Sequence, residues 1–268
     1  MRIIYRYAAC VLFEKNIQWV AGMVLLCAPI YTHAIVSMEN IHLGKPPQGF
    51  TGSFALELAH ESGNTEQSSV ETGVKFQWTR NRVTDFILAN YAYADSAGVR
   101  NKNKAFMHYR HIYQIDDELA WEGFTQFSAD EFTKLSLRAL VGGGVRITLG
   151  EATDTSAFYL GLGAFYEHEE LDTIYPDEPD TEDTLRANTY LVYKYRFNAY
   201  VSMVSATYYQ PALDDFSDYR ASENLSVESR LTGSLSLKAG VDIAHDSEPP
   251  RDVKRTDTAI KVGIVVNF

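Results

Sequence analysis

The last thirteen residues, Thr256-Asp257-Thr258-Ala259-Ile260-Lys261-Val262-Gly263-Ile264-Val265-Val266-Asn267-Phe268, decide the fold. Thr258, Ile260, Val262, Ile264, Val266 and Phe268 fall on one side of an extended chain, and Asp257, Ala259, Lys261, Gly263, Val265 and Asn267 on the other. Successive side chains of a strand point to opposite faces, so this segment reads as a strand with one apolar face. An amphipathic helix would instead repeat its apolar residues at i, i+3 and i+4.

The same period of two recurs upstream. Val70, Thr72, Val74, Phe76 and Trp78 oppose Glu71, Gly73, Lys75 and Gln77, and Leu235, Leu237, Ala239, Val241 and Ile243 oppose Ser236, Lys238, Gly240 and Asp242. Leu185, Ala187, Thr189, Leu191, Tyr193 and Tyr195 oppose Arg186, Asn188, Tyr190, Val192, Lys194 and Arg196. Soluble strands average roughly 5–6 residues, whereas a tilted transmembrane strand needs about 9–11, and these runs have the longer extent. Twelve such segments are expected, near 50–61, 66–79, 82–94, 103–114, 117–128, 132–149, 155–170, 184–196, 199–210, 217–229, 232–245 and 255–268. An even count brings both ends of a single-chain barrel to one side.

Between them, tight connections such as Arg80-Asn81, Asp116-Asp117 and Phe197-Asn198 alternate with longer ones. The longer ones are Asp95 to Lys102, Leu171 to Asp183, Pro211 to Phe216 and Asp246 to Lys254. Short periplasmic turns alternating with longer outer loops are the habit of outer-membrane barrels. Two connections depart from it: Ser62-Gly63-Asn64-Thr65 is short for an outer loop, and Gly150–Asp154 is long for a turn. Trp78, Tyr91, Tyr93, Tyr113, Trp121, Tyr166, Tyr193, Tyr195 and Phe197 lie near strand ends, where aromatic girdles sit at the headgroup level. The carboxy-terminal pattern Lys261-x-Gly263-x-x-Val266-x-Phe268 resembles the signal read by the barrel assembly machinery, which makes that machinery an expected partner during biogenesis.

The amino terminus differs. Arg2, Arg6 and Lys15 precede the uncharged stretch Trp19–Ile30, and Thr32-His33-Ala34 offers small residues for cleavage. That is the layout of a secretory signal peptide, so residues 1–34 are expected to be removed, 35–49 to form a short periplasmic segment and 50–268 to form the barrel. Both cysteines, Cys10 and Cys27, fall in the leader, which leaves the mature chain without a disulfide or a thiolate site. Losing three bases and one acid takes the formal charge from -11 to -13. Mean hydropathy of -0.21 and the lack of a second long apolar run exclude a multi-helix membrane protein. The acidic balance argues against a nucleic-acid partner, which calls for a basic face.

The first strand, Phe54 to Glu61, is followed by Ser62-Gly63-Asn64-Thr65-Glu66 and Ser69-Val70-Glu71-Thr72-Gly73. Leu135-Ser136-Leu137-Arg138 precedes Gly142-Gly143-Gly144-Val145-Arg146. Together these resemble the YdiY-like salt-induced outer membrane proteins, a family built on a domain of unknown function. The resemblance spans roughly 50–268 and implies an integral barrel of the Gram-negative outer membrane, set in lipid and lipopolysaccharide. It supplies no catalytic residue and no cofactor.

If the apolar face meets lipid, the other face lines the bore. That face carries Lys75, Arg138, Arg146, Arg186, Lys194, Arg196, Arg220, Arg230, Lys238 and Lys261 beside Glu57, Glu71, Glu122, Glu167, Glu228 and Asp242, ten bases to six acids. An Arg or Lys turned to lipid costs about 2–4 kcal/mol at the midplane, so the pattern predicts a charged interior. Two readings follow. The charges pair and fill a narrow bore, or they line a channel for small ions or solutes that favours anions. A third reading is a surface barrel acting through acidic outer loops, Asp172 to Asp183, whose carboxylates suit divalent cations but show no regular ligand spacing. A rim hydrolase using His108, His111, His168 or His245 with Glu167, Glu169 and Glu170 is the last; no Gly-x-Ser-x-Gly, His-Glu-x-x-His or P-loop pattern accompanies them. No metal site and no enzymatic activity are expected.

Overall fold

The computed structural model describes residues 47–61, 67–173 and 175–268. The expected leader 1–34, nearly all of segment 35–49 and the Ser62–Thr65 connection lie outside the described residues. The chain forms twelve strands: β1 Gly49–Glu61, β2 Gln67–Arg80, β3 Val83–Ser96, β4 Val99–Gln114, β5 Leu119–Asp130, β6 Leu135–Thr148, β7 Ser156–Leu171, β8 Thr181–Arg196, β9 Val201–Pro211, β10 Tyr219–Arg230, β11 Leu235–Asp246 and β12 Thr256–Asn267. Each pairs antiparallel with its sequence neighbours, and β1 pairs with β12, so the sheet closes into a barrel. All twelve segments expected from the alternation are strands, with ends shifted by a few residues.

One connection differs from expectation. Asp95 to Lys102 is not a loop: β3 and β4 run through it and are joined by Ala97-Gly98 alone, with φ of 50° and 76°. Two consecutive left-handed residues make the tight hairpin turn whose twist matches the flanking strands. A register shift at Ala94/Asp95 marks a bulge below it. Around this turn Asp95, Ser96, Arg100, Asn101 and Lys102 put polar residues on both faces, so hydrophobic alternation carries little signal there. At the β5–β6 end the strand expected from 132 starts at Leu135, because Asp130 caps a short 3-10 turn over Glu131–Thr133 and Lys134 takes φ 58°.

The barrel has two unlike ends. Connections 81–82, 115–118, 149–155, 197–200 and 231–234 lie at one, called here the turn end, together with the start of β1 and the end of β12. The loop end carries 97–98, 131–134, 172–180, 212–218 and 247–255.

The seam between β1 and β12 is short. Ser53 to Leu56 pair with Asn267 to Ile264, and beyond them Gly52 N–H donates to Phe268 O at 2.7 Å while Phe268 N–H donates to Gly52 O at 2.9 Å. The Phe268 ring lies over the Gly52 Cα, where a Cβ would stand 2.4 Å from it. Its ring centroid is 6.4 Å from that of Phe76.

Alternation sorts the faces. Phe54, Leu56, Val70, Phe76, Ile87, Leu162, Leu191, Ile260, Val262 and Ile264 are exposed on the outer surface. Trp78, Tyr113, Trp121 and Phe197 join them near the turn end, and Tyr91 and Tyr166 toward the loop end, as amphipathic rings do at the two interfaces of a bilayer. Outward Glu223 is an exception: it accepts from Ser205 Oγ at 2.7 Å and from the Thr207 hydroxyl.

Deleting Phe268 removes both terminal seam bonds, each worth about 1 kcal/mol, and uncovers Gly52. The truncated chain is expected to lose the heat-modifiable gel mobility of a closed barrel; full retention of that mobility would show that the seam holds without it.

Candidate functional site

The interior is built of side chains that meet across the bore. Three charge clusters stand out.

Nearest the loop end, Glu167 and Glu169 on β7 are surrounded by guanidinium groups. Arg186 on β8 donates to Glu167 at 2.9 Å and grips Asp218 through both terminal nitrogens at 3.0 and 2.8 Å. Arg220 on β10 reaches across to Glu167, to Glu169 at 2.9 Å and to Asp246 at 3.0 Å. Arg138 on β6 pairs with Glu169 and lies 3.2 Å from Glu167. Lys104 lies 3.1 Å from Asp130. Burial of such ions is tolerable only when partners and hydrogen bonds replace the lost water, and this arrangement supplies both.

At mid-height Glu122 on β5 accepts from Arg146 at 3.2 Å and from the Tyr190 hydroxyl, with Arg110 at 3.8 Å. Tyr190 sits on β8, three strands from β5, so this bond spans the interior. The Arg110 guanidinium lies 5.7, 5.7 and 5.8 Å from the ring centres of Phe86, Tyr190 and Phe124, and Arg146 lies 4.3 Å from that of Tyr159. These contacts combine charge–quadrupole attraction with desolvation. Lys194 lies 5.3 Å from the Tyr159 ring centre. Glycine makes the packing possible: a Cβ on Gly161 would stand 2.0 Å from the Tyr190 ring, and one on Gly144 would stand 2.3 Å from Leu162 O. The Gly142–Gly144 run is therefore a flat patch of wall beneath large side chains.

The third cluster lines the opposite wall. Lys261 on β12 lies 2.5 Å from Glu71 on β2 and 3.5 Å from Asp242 on β11, while Lys102 lies 3.3 Å from Glu71. Asn224 donates to Asp242.

The two walls differ in bulk. Inward positions of β4 to β8 hold His108, Arg110, Phe124, Arg146, Phe165 and Tyr190, most of them buried. Those of β10 to β12, β1 and β2 hold Ser222, Ser226, Gly240, Ala244, Ala259, Gly263, Ala55 and Gly73. Three cavities reflect this. One of about 230 Å³ opens at the loop end beside Lys104, Arg138 and Arg220. One of about 480 Å³ lies at the turn end beside Lys75, Arg196, Arg230 and Lys238. A third of about 110 Å³ sits on the small-residue wall beside Glu71, Asp242 and Lys261, and shares Gly73, Asn90 and Lys238 with the second.

The expected bore residues thus fall into these groups. Arg138, Glu167, Arg186 and Arg220 meet near the loop end; Glu122, Arg146 and Lys194 at mid-height; Glu71 and Lys261 on the small-residue wall; and Lys75, Arg196, Arg230 and Lys238 in the turn-end cavity. The Glu57 side chain is outside the described ones. Gly263 faces Lys238 across the β11–β12 pair, and Val266 is exposed on the outer face. Sequence reasoning missed Arg110, Lys102 and Lys104 as bore residues, although all three share the even-numbered face of β4, opposite Met107 and Tyr109.

The histidines do not gather. His108 is buried, bonded to Gln126 at 3.2 Å and to Arg110 at 3.3 Å. His111 and His168 face outward on separate strand pairs, each 2.7 Å from an aspartate, Asp85 or Asp183. His245 contacts Thr256 at 2.8 Å. Among the described residues no three His, Cys, Asp or Glu side chains are placed to hold a metal ion.

Over the loop end the connections join. Lys134 Nζ donates to Arg251 O at 2.7 Å, linking hairpins β5–β6 and β11–β12, which stand opposite each other in the ring. Arg251 pairs with Asp177 at 2.6 Å, its backbone N–H donates to Glu178 at 2.9 Å, and its guanidinium lies 4.4 Å from the Tyr175 ring centre. Tyr175 donates to Asp252 at 2.5 Å.

A closed antiparallel barrel with an apolar outside and a charged inside is a transmembrane β-barrel. Within that class the chain belongs to the DUF481 family of proteins of unknown function, whose pattern it matches over residues 56–268. No curated protein matches it in sequence. Among solved structures it is similar to an outer-membrane channel from Pseudomonas putida F1, with 12% identity, a TM-score of 0.49, and 88% of this chain and 100% of that one covered. It is also similar to the KdgM porin in complex with disordered oligogalacturonate, with 10% identity, a TM-score of 0.45, and 81% and 99% covered. A third is the translocator domain of the autotransporter NalP from Neisseria meningitidis, with 11% identity, a TM-score of 0.44, and 84% and 91% covered.

Two outcomes follow. Tyr190→Phe removes a hydroxyl donor from buried Glu122 and should destabilise the barrel by about 1–3 kcal/mol, read from denaturant unfolding in micelles; an unchanged midpoint would show that the bond contributes nothing. In the loops, the Arg251 guanidinium lowers the Asp177 carboxyl below its ordinary 3.8, and the Thr173 hydroxyl and the Arg251 backbone N–H lower that of Glu178 below 4.5. Lowered carboxyls stabilise the contact above their ordinary values and lose it as pH falls through the lowered ones. Limited proteolysis of the 247–255 loop should therefore accelerate below about pH 4 and not between pH 6 and 8.

Proposed function

We propose that the protein is an integral outer-membrane barrel of the salt-induced, YdiY-like type that acts as a narrow pore for ions or small solutes. In this reading the turn end faces the periplasm and the loops face outward, as in bacterial barrels generally. Outer-membrane lipid and lipopolysaccharide surround the apolar face. Lys261, Gly263, Val266 and Phe268 form the signal for the barrel assembly machinery. The barrel acts without enzymatic chemistry and without a cofactor.

The observation that carries the pore reading is the asymmetry of the interior. On the β4–β8 side Arg110, Glu122, Arg146 and Tyr190 fill the bore beneath the 230 Å³ loop-end cavity, whereas the β10–β2 side carries small residues and the 110 Å³ cavity that adjoins the turn-end vestibule. An off-centre path along that wall passes Glu71, Asp242, Lys238 and Lys261, so a permeating ion meets fixed charge of both signs. Selectivity in such a passage comes from the charges at its narrowest point. Arg138 and Arg220, tied to Glu167 and Glu169, are neutralised where they stand and contribute little to it.

A second reading has a specific observation behind it. The Lys134–Arg251–Asp177 contacts across the mouth favour a barrel that works through its outer surface rather than its bore.

Planar-bilayer recording separates the two. The pore reading expects small, discrete conductance steps that become larger in Tyr190→Ala, which empties the packed side. A bilayer that stays sealed in every salt, for both proteins, rejects it.

A further inference from the structure

The two mouths of the barrel treat charge differently. At the loop end every arginine named above has a carboxylate partner: Arg138 and Arg220 with Glu167 and Glu169, Arg186 with Glu167 and Asp218. At the turn end Lys75, Arg196, Arg230 and Lys238 line one cavity in which Glu228 is the one acidic side chain. Among the described residues, no carboxylate lies within ion-pair distance of Arg196, Arg230 or Lys238. Glu228 stands opposite Lys238 in the β10–β11 register and, with Asp242, acts on its charge without forming an ion pair.

A second observation points the same way. Asn90, on the inward face of β3, lines this cavity, and its buried Nδ2 has no hydrogen-bond partner. Buried donors are ordinarily satisfied, and one left open calls for an explanation. The cavity, at about 480 Å³, is within the range of roughly 300–1,000 Å³ typical of small-molecule sites. Unneutralised guanidinium groups beside an open amide donor suit a planar or tetrahedral oxyanion, which accepts several charge-assisted hydrogen bonds at once.

We infer that the turn-end vestibule is a binding site for a small multivalent oxyanion, a phosphate or a polycarboxylate, held by Arg196, Arg230 and Lys238 with Asn90. This goes beyond the pore reading and shares with it only the inward placement of these side chains. The site is open at the turn end, so its ligand enters from the side that holds the end of β12, which is the periplasm in the proposed orientation. In the loop-end vestibule, by contrast, Lys104, Arg138 and Arg220 are already held by acids.

Isothermal titration calorimetry on the full chain folded in uncharged micelles tests this, with inorganic pyrophosphate and citrate as probes at low ionic strength. One of the two should bind at a single site, and which one binds distinguishes a phosphate from a carboxylate ligand. Arg196→Gln and Arg230→Gln should each weaken binding about tenfold, the size of one charge-assisted hydrogen bond. Lys254→Gln with Arg255→Gln at the loop end should leave it unchanged. Heat-modifiable mobility verifies that each variant is folded, and Lys238→Met, which retains bulk, is the second line if an arginine variant is not. No heat with either anion, equal affinity in the turn-end variants, or equal loss in the loop-end variant overturns the inference. Because titration in micelles is independent of conduction, a barrel that binds but stays sealed loses only the pore reading, and one that conducts but binds nothing loses only this site.

Discussion

A hydrocarbon core offers a peptide group nothing to bond with, so each N–H and C=O of a membrane-spanning sheet must find its partner on a neighbouring strand. Everything else in this structure depends on that requirement. It forces β1 to meet β12 and draws Phe268 into the hydrogen-bonded seam. The seam is the weakest part of the ring, with four residue pairs and two bonds at Phe268.

Closure creates a second demand. A ring of this size encloses space that a smaller barrel would fill with ordinary side chains, and alternation puts half of every strand into it. The protein fills that space with charge, and the low dielectric makes each unpaired ion costly. Hence the clusters at Glu167/Glu169, Glu122 and Glu71: Arg220 reaches Glu167 and Glu169 from three strands away, Lys261 and Lys102 reach Glu71 from two strands away on either side, and Glu122 takes its cations from the adjacent β4 and β6 and the Tyr190 hydroxyl from β8. The longest of these bonds, Arg220 to Glu167 and Glu169, Lys261 to Glu71 and Tyr190 to Glu122, work as struts between strands that do not pair. Where pairing stops, at the turn end, the residual positive charge is a local property of one vestibule, even though the chain as a whole is acidic.

The strands were legible in the sequence because lipid on one side and charge on the other impose a period of two. The reading failed where that contrast vanishes. Around Ala97-Gly98 both faces are polar, and alternation gave no hint that the strands continue. Which charged residues share a strand face was legible in the same way, including Glu71, Arg138, Arg146 and Arg220. Which cation meets which acid was not, because the partners lie as far apart as Lys261 and Glu71 and are matched by barrel shear and side-chain reach. Arg110 belonged to a readable face but was overlooked beside the neighbouring histidines. Counting bases over acids treats all of them alike, whereas geometry separates those held in ion pairs, such as Arg138, Arg186 and Arg220, from Arg196 and Arg230, which have none among the described residues.

The join between the loops has a consequence for anything that approaches from outside. Lys134, Tyr175, Asp177, Arg251 and Asp252 come from three hairpins, two of them on opposite sides of the ring, yet they present one continuous patch. An antibody raised against the folded barrel would recognise a surface that no single peptide of the sequence reproduces. Its epitope would disappear on unfolding, although every segment that contributes to it stays chemically intact.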